Sequence, residues 1–541
     1  MFGRPKLGSL LRNSLRKSFL VHPSDGSIMH RTISATALTA LVLAACSTDV
    51  VAPLKTPSTP KLAVDVNTTS GNYVILMRGN AIPKGFAESV ANLGGAVTWS
   101  HAGAGFATVA GLDAAGAVKL AAISGVADVE SDIEVGLGVP AGVAEADASD
   151  LADPSIMAEA DASDLADPSI SSVTNPAAAA RYVWQWNMRS IGAQTAWAAG
   201  KLGSAAVTVA ILDTGIDYDA PDLNGLVDLT RSTSFMSTYV RAPGQTKSDS
   251  SDNYISTRFF PTRNAISDYN GHGTNVATQV SSKAVALAGV TSKTKLIGVK
   301  VLGSNGYGSF GGILNGILWA ADHGANVANM SLGGGFSKTA AGRYVAIINR
   351  VFNYAKQRGM LIVVAAGNAA ADLDHNGNEF VTYCDAPHVI CVASVGLPTA
   401  TGDADAPAFY SNFGRSAISV AAPGGNASPT PSAYAISRWP WGNDIASWVW
   451  SYCSKTRIAG FTAPPATYAP ILTVCVAGNR LSGFIGTSQA SPHVAGLAAL
   501  LMAEYGPGHP QTIKELIEES AVPIDPLYGR GRISVSNALG L

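Results

Sequence analysis

Val209-Ala210-Ile211-Leu212-Asp213-Thr214-Gly215 is an apolar run that ends in a carboxylate at a glycine turn. A short, apolar run of this kind fits a strand buried on both faces, the habit of parallel sheets. Comparable runs recur at Lys295 to Val301, Asn326 to Met330, Met360 to Ala366 and Val389 to Val395. Between them lie helical stripes. Ile313, Leu314, Ile317, Leu318 and Ala321 form one, closed near Gly324, and Val345, Ile348, Val351, Phe352 and Ala355 form another, closed near Gly359. This alternation predicts an α/β fold, a doubly wound and mostly parallel sheet whose ligands bind at the carboxyl ends of strands. Asp213 falls at such an end, and so does Asn368 in Ala365-Ala366-Gly367-Asn368.

Two further stretches complete a chemical set with Asp213. His272 stands in Asn270-Gly271-His272-Gly273-Thr274 just before a helical stretch, and Ser488 opens the apolar helix of Gly486-Thr487-Ser488-Gln489-Ala490-Ser491-Pro492-His493-Val494-Ala495-Gly496. A serine hydroxyl is too weak an acid to attack an amide unaided, so an imidazole must take its proton and return it to the leaving group. A buried carboxylate fixes the imidazole's tautomer and stabilises its cation. The oxyanion formed on attack needs donors set in advance, which the N–H groups at the start of the helix after Ser488 and the side-chain amide of Asn368 would provide. Asp-His-Ser is one of three unrelated chain orders of such a triad. Asp-Thr-Gly alone would also fit an aspartic protease, but that chemistry needs two carboxylates sharing a proton and this chain has one such motif.

From Trp184 to the C-terminus the chain resembles the subtilases, subtilisin-like serine endopeptidases. The resemblance is carried by the triad and Asn368, and by Val299-Lys300-Val301-Leu302-Gly303, Asn329-Met330-Ser331-Leu332-Gly333, Ser411-Asn412-Phe413-Gly414 and Val420-Ala421-Ala422-Pro423-Gly424. It implies polypeptide substrates held as an added antiparallel strand between two backbone edges, Gly306-Tyr307-Gly308 and Ser331-Leu332-Gly333. No cofactor for catalysis is implied. The chain departs from the family at Gln489, where methionine is common, and at Asn275, where histidine is common. Gln489 leaves no oxidisable thioether beside the nucleophile, so resistance to peroxide is expected.

Ahead of this region the chain divides into pieces. Basic residues Arg4, Lys6, Arg12, Arg16, Lys17 and Arg31 precede an apolar run from Ile33 to Ala45 that is short for a membrane span and reads as a signal peptide, residues 1–46. Met29 is an alternative start. Leu43-Ala44-Ala45-Cys46 resembles a bacterial lipobox, which implies acylation of Cys46, a membrane anchor and an extracytoplasmic location, with Ser47 favouring the outer membrane; an ordinary secretory signal that contains a cysteine, and a secreted product, is the alternative. After a linker, residues 47–70, residues 71–135 show strand and helix patterns and resemble the small α+β propeptide that inhibits subtilases and assists their folding. Residues 136–180 form an acidic linker in which Ala144 to Ile156 is repeated letter for letter at Ala158 to Ile170. The catalytic domain is expected over 181–541. A surface binding lipoprotein that keeps the fold without proteolysis is the alternative from another class.

With 36 basic and 38 acidic side chains the chain has no bias toward nucleic acid. Besides Cys46, four cysteines allow three pairings, of which Cys384 with Cys391 and Cys453 with Cys475 is expected in an exported protein. The second pair would staple the Trp-bearing segment between Gly424 and Gly486, read as a surface hairpin packing its own aromatics or as a flap beside the cleft. Asp372, Asp374 and Asn376 have the alternating oxygens of the first half of a calcium loop, but Tyr383 stands at the twelfth position where a bidentate glutamate belongs.

Overall fold

The computed structural model describes residues 71–137, 174–236, 252, 255–256, 260–339, 342–398, 402–426, 448–452, 454–456 and 481–541. Every described residue belongs to the compact unit Leu62–Leu541. It begins with β1 (Tyr73–Met77), α1 (Phe86–Asn92), β2 (Ala96–His101), β3 (Phe106–Ala110), α2 (Ala114–Ala121), β4 (Val126–Ser131) and β5 (Glu134–Gly136). The first four strands form an antiparallel sheet in the order β2-β3-β1-β4. β1 is apolar throughout because both its faces are covered. Tyr73, Ile75 and Met77 pack with Phe86, Val90 and Leu120 in a core of their own, while Val74, Leu76 and Phe106 join the larger core beyond. β2 was not expected from the sequence. Its residues are only partly buried, and Trp99 and His101 point across to the neighbouring body rather than into their own core.

That body opens with α3 (Trp186–Ser190) and α4 (Ala193–Ala198). It continues through β6 (Thr208–Asp213), β7 (Thr233–Ser234), α5 (His272–Val280), β8 (Lys295–Lys300), β9 (Tyr307–Ser309), α6 (Phe310–Asp322), β10 (Val327–Met330), β11 (Phe336–Ser337), α7 (Gly342–Gln357), β12 (Leu361–Ala365) and β13 (Glu379–Phe380). It ends with β14 (Val389–Val395), β15 (Val420–Pro423), β16 (Val449–Tyr452), β17 (Leu481–Phe484), α8 (Thr487–Tyr505), α9 (Pro510–Glu519) and α10 (Val535–Leu539). Seven strands form one sheet in the order β15-β14-β12-β10-β6-β8-β7, every neighbouring pair parallel. Alternate residues face two separate cores. Ala210 and Leu212 of β6, Ile362 and Val364 of β12 meet α6 and α7, whereas Val209, Ile211, Leu361 and Val363 meet α5 and α8 on the other face.

This doubly wound α/β architecture is the expected one. The chain leaves β6 for β8 on one side and returns to β10 on the other, so the switch point of the sheet lies at the carboxyl end of β6. Asp213 occupies that end.

Candidate active site

Asp213 is fully buried, and its Oδ1 lies 2.8 Å from His272 Nδ1 and accepts the Thr214 N–H at 2.7 Å. His272 is the first residue of α5, and its entry is tight: a Cβ on Gly273 would meet the Gly215 carbonyl at 2.1 Å. Burial by itself would lower the His272 pKa, but the charge and hydrogen bond of Asp213, with the charge of Asp268, raise it above its ordinary value.

Asp268 was not singled out from the sequence, yet it ties these pieces together. Its Oδ1 accepts Thr214 Oγ1 at 2.9 Å, Asn270 N at 3.0 Å and Gly271 N at 2.8 Å; its Oδ2 accepts Thr274 N at 2.9 Å and Thr274 Oγ1 at 2.6 Å. One carboxylate thus holds the turn after Asp213 to the turn that starts the His272 helix. A carboxylate four residues ahead of the histidine, at a glycine turn opening a helix, was the available signal.

Ser488 is the second residue of α8, which packs against α5 and against β10, β12, β14 and β15 of the sheet. Its Oγ donates to the Ser331 carbonyl at 3.2 Å rather than to His272, while Phe484 stands edge-on to the His272 ring at 6.2 Å. Asn368, just past β12, accepts Thr487 N and Thr487 Oγ1 through Oδ1, both at 2.9 Å, which fixes it beside the start of α8. A Cβ on Gly486 would lie 3.6 Å from Asn368 Nδ2.

The two edges Gly306 to Gly308 and Ser331 to Gly333 face each other across a strand that the chain itself supplies. β5 pairs antiparallel with β9: Glu134 opposite Ser309, Val135 opposite Gly308 and Gly136 opposite Tyr307. On its other side Gly136 N donates to Gly333 O at 3.3 Å and Gly333 N to Gly136 O at 3.1 Å, while on the β9 side Leu137 N donates to Gly306 O at 3.1 Å. β5 thereby runs across the division expected after Val135. The first edge is braced from behind by the buried Lys300, whose Nζ lies 2.6 Å from Asp252; Asp252 in turn accepts Ser304 N at 2.7 Å.

Residues 71–137 hold the same surface at further points. Asp132 accepts Gly311 N at 2.7 Å, Tyr344 Oη donates to Ser131 O at 2.6 Å, and Arg343 approaches Asp128 and Glu130 at 3.6 and 3.4 Å. His101 Nε2 meets Asp322 at 2.7 Å, with His101 Nδ1 accepting Ala104 N. The half-exposed Arg343 pairs contribute at most about 1 kcal/mol each. Burial of Val74, Leu76 and Phe106, about 1.5–3 kcal/mol per side chain, dominates the docking.

Cys384 and Cys391 are joined by a disulfide that ties the turn after Thr382 to β14. Cys46, Cys453 and Cys475 lie outside the described residues. The ends of the Trp-bearing segment form the ribbon β16–β17, which lies on α5 through Asn275 Nδ2 to Val449 O at 3.1 Å and Gln279 Nε2 to Trp450 O at 2.8 Å. Asn275, a departure from the usual histidine, therefore anchors this ribbon. Asp374 accepts Ser416 N, Ser416 Oγ and Ala417 N, and Asp372 accepts Asp374 N and pairs with His375 at 2.8 Å. Their carboxylates serve the turns, and among the described residues no group of three or more histidine, cysteine or acidic side chains gathers.

Comparison with known proteins places this geometry. Residues 204–540 match the profile of the Subtilase family, and the chain belongs to that family. It is similar to thermitase of Thermoactinomyces vulgaris, 29% identical over 66% of this chain and 95% of that protein. It is also similar to a thermophilic serine proteinase of Bacillus sp. strain AK1, 29% identical over 66% of this chain and 67% of that one. Among solved structures, the epidermin leader peptide processing serine protease of Staphylococcus aureus shares the fold with a TM-score of 0.62 at 20% identity, covering 87% of this chain and 97% of that one.

Proposed function

We propose that the protein is a serine endopeptidase made as a self-processing zymogen, exported and anchored to a membrane through acylated Cys46. Ser488 attacks the substrate carbonyl and forms an acyl-enzyme. His272 takes the serine proton and returns it to the leaving amine, and Asp213 orients the imidazole and stabilises its cation. Asn368 and the first N–H groups of α8 bind the oxyanion. Residues 71–137 act as the inhibitor of the uncut chain.

The observation that carries this reading is β5 seated between Gly308 and Gly333, in the position an added substrate strand takes. Because Gly333 pairs with Gly136, counting two residues back to Ser331 counts two residues on to Gly138. The Ser331 carbonyl accepts the Ser488 hydroxyl, so the bond proposed for self-cleavage is Gly138–Val139, which lies outside the described residues. Cleavage there leaves the acidic duplicated segment on the mature enzyme.

A fluorophosphonate probe tests the catalytic assignment. Labelling at Ser488, lost in Ser488→Ala and strongly slowed in His272→Ala, is expected; labelling elsewhere, or none in the processed chain, contradicts it.

A further inference from the structure

The ladder that seats β5 continues past the strand. Leu137, Gly136, Val135 and Glu134 are partnered by Gly306, Tyr307, Gly308 and Ser309, then Phe310 N donates to Ile133 O at 2.9 Å, and Gly311 N donates to Asp132 Oδ1 at 2.7 Å. The register holds without a break, and its last rung is a carboxylate. That carboxylate sits at the first turn of the thirteen-residue α6, whose Ser309 cap already accepts Gly312 N at 3.0 Å. Two features show a shaped seat. The Asp132 residue is only 7% exposed, and a Cβ on Gly311 would stand 2.8 Å from Asp132 Oδ2 and from Thr108 Cγ2 and 2.9 Å from Val74 Cγ1, so the missing side chain at 311 leaves room that the carboxylate shares with these two residues. Val74 Cγ1 and Thr108 Cγ2, which crowd Gly311 alongside it, belong to the same N-terminal unit as Asp132.

We propose, building on the endopeptidase reading, that once residues 71–137 are released this seat is a substrate subsite that selects polypeptides with an aspartate or glutamate four residues ahead of the one paired with Gly333. A substrate in the register of β5 follows the same edge and brings its carboxylate to the Gly311 N–H, at the positive end of the helix dipole. Without Val74 and Thr108 alongside, that carboxylate stays partly hydrated while keeping its donor.

The test uses the full-length chain freed of its N-terminal fragment, by its own processing or by limited digestion with an added protease, with internally quenched peptides copying residues 132–141. The first residue is Asp, Asn or Ala. Expected is a kcat/KM about tenfold higher for Asp than for Asn, lost when the aspartate is moved by one position. In Gly311→Ala the Asp-to-Asn ratio falls to near one, whatever the absolute rate. Equal rates for Asp and Asn in the unmodified protein, or a ratio untouched by Gly311→Ala, overturn the subsite. Calorimetric binding of the same peptides separates the two readings: an Asp preference in binding with no cleavage removes the endopeptidase reading and keeps the subsite, and cleavage without preference does the reverse.

Discussion

Gly136 and Gly333 exchange both of their backbone hydrogen bonds, at 3.3 and 3.1 Å, so the chain's own β5 completes a three-stranded arrangement over the site. Affinity of this kind comes from main-chain groups. Proline at 136 deletes the donor to Gly333 and clashes with the ring of Tyr307, which already stands 2.8 Å from where a Cβ would be. Gly136→Pro is expected to slow self-processing at least about tenfold in a gel time course. Unchanged processing would show that this pairing does not present the cleaved bond.

Asp132 couples docking of the N-terminal unit to pH. Burial pushes its carboxyl up from 3.8 to about 6, against the lowering effect of Gly311 and Ser309, and burial also raises Glu130 beside Arg343. A raised carboxyl means the docked state holds its proton more tightly than the free one. This contribution is fully present below about pH 4 and is lost as pH rises through about 6, a difference of roughly 3 kcal/mol for Asp132. Dissociation of the cleaved fragment, followed by surface plasmon resonance, is expected to be at least tenfold faster at pH 8 than at pH 5, with Asp132→Asn flattening the dependence. Tighter binding at pH 8 would sink the idea.

On the proposed mechanism Asp268 acts on catalysis through His272. Its charge helps to raise the imidazole's pKa, and His272 must be neutral to accept the serine proton. Activity should therefore fall on the acid side at a pH above the ordinary histidine value. Asp268→Asn is expected to move that limb to lower pH, with a lower melting temperature because one face of the amide now meets donors. A fall in kcat/KM with an unmoved limb would mean that Asp268 is only structural.

What could be read in the sequence was local. β6 and β12 carry unbroken apolar runs because two cores claim their alternate residues, and Asp213 and Asn368 mark the strand ends where the site forms. β2 escaped notice because Trp99 and His101 face a partner surface far along the chain, so no local alternation survives. Asp132 escaped for a similar reason: its partner N–H, Gly311, lies 179 residues away. Lys300 stood in a recognised motif, but nothing local showed that Asp252 would neutralise it or that the pair would brace Ser304.

Gln489 follows Ser488 and is buried, so no thioether stands beside the proposed nucleophile. Activity after peroxide treatment should fall no more than about twofold under conditions that inactivate a methionine-bearing subtilase. Inactivation at the same rate would mean that another residue is the sensitive one.

Intact mass of the chain expressed without residues 1–45, compared with its Ser488→Ala variant, tests the central claim most directly. The account predicts that the unaltered chain loses an N-terminal fragment ending at Gly138 while the variant remains whole. Two intact chains under folding conditions, or the same cut in both, would contradict self-processing by Ser488.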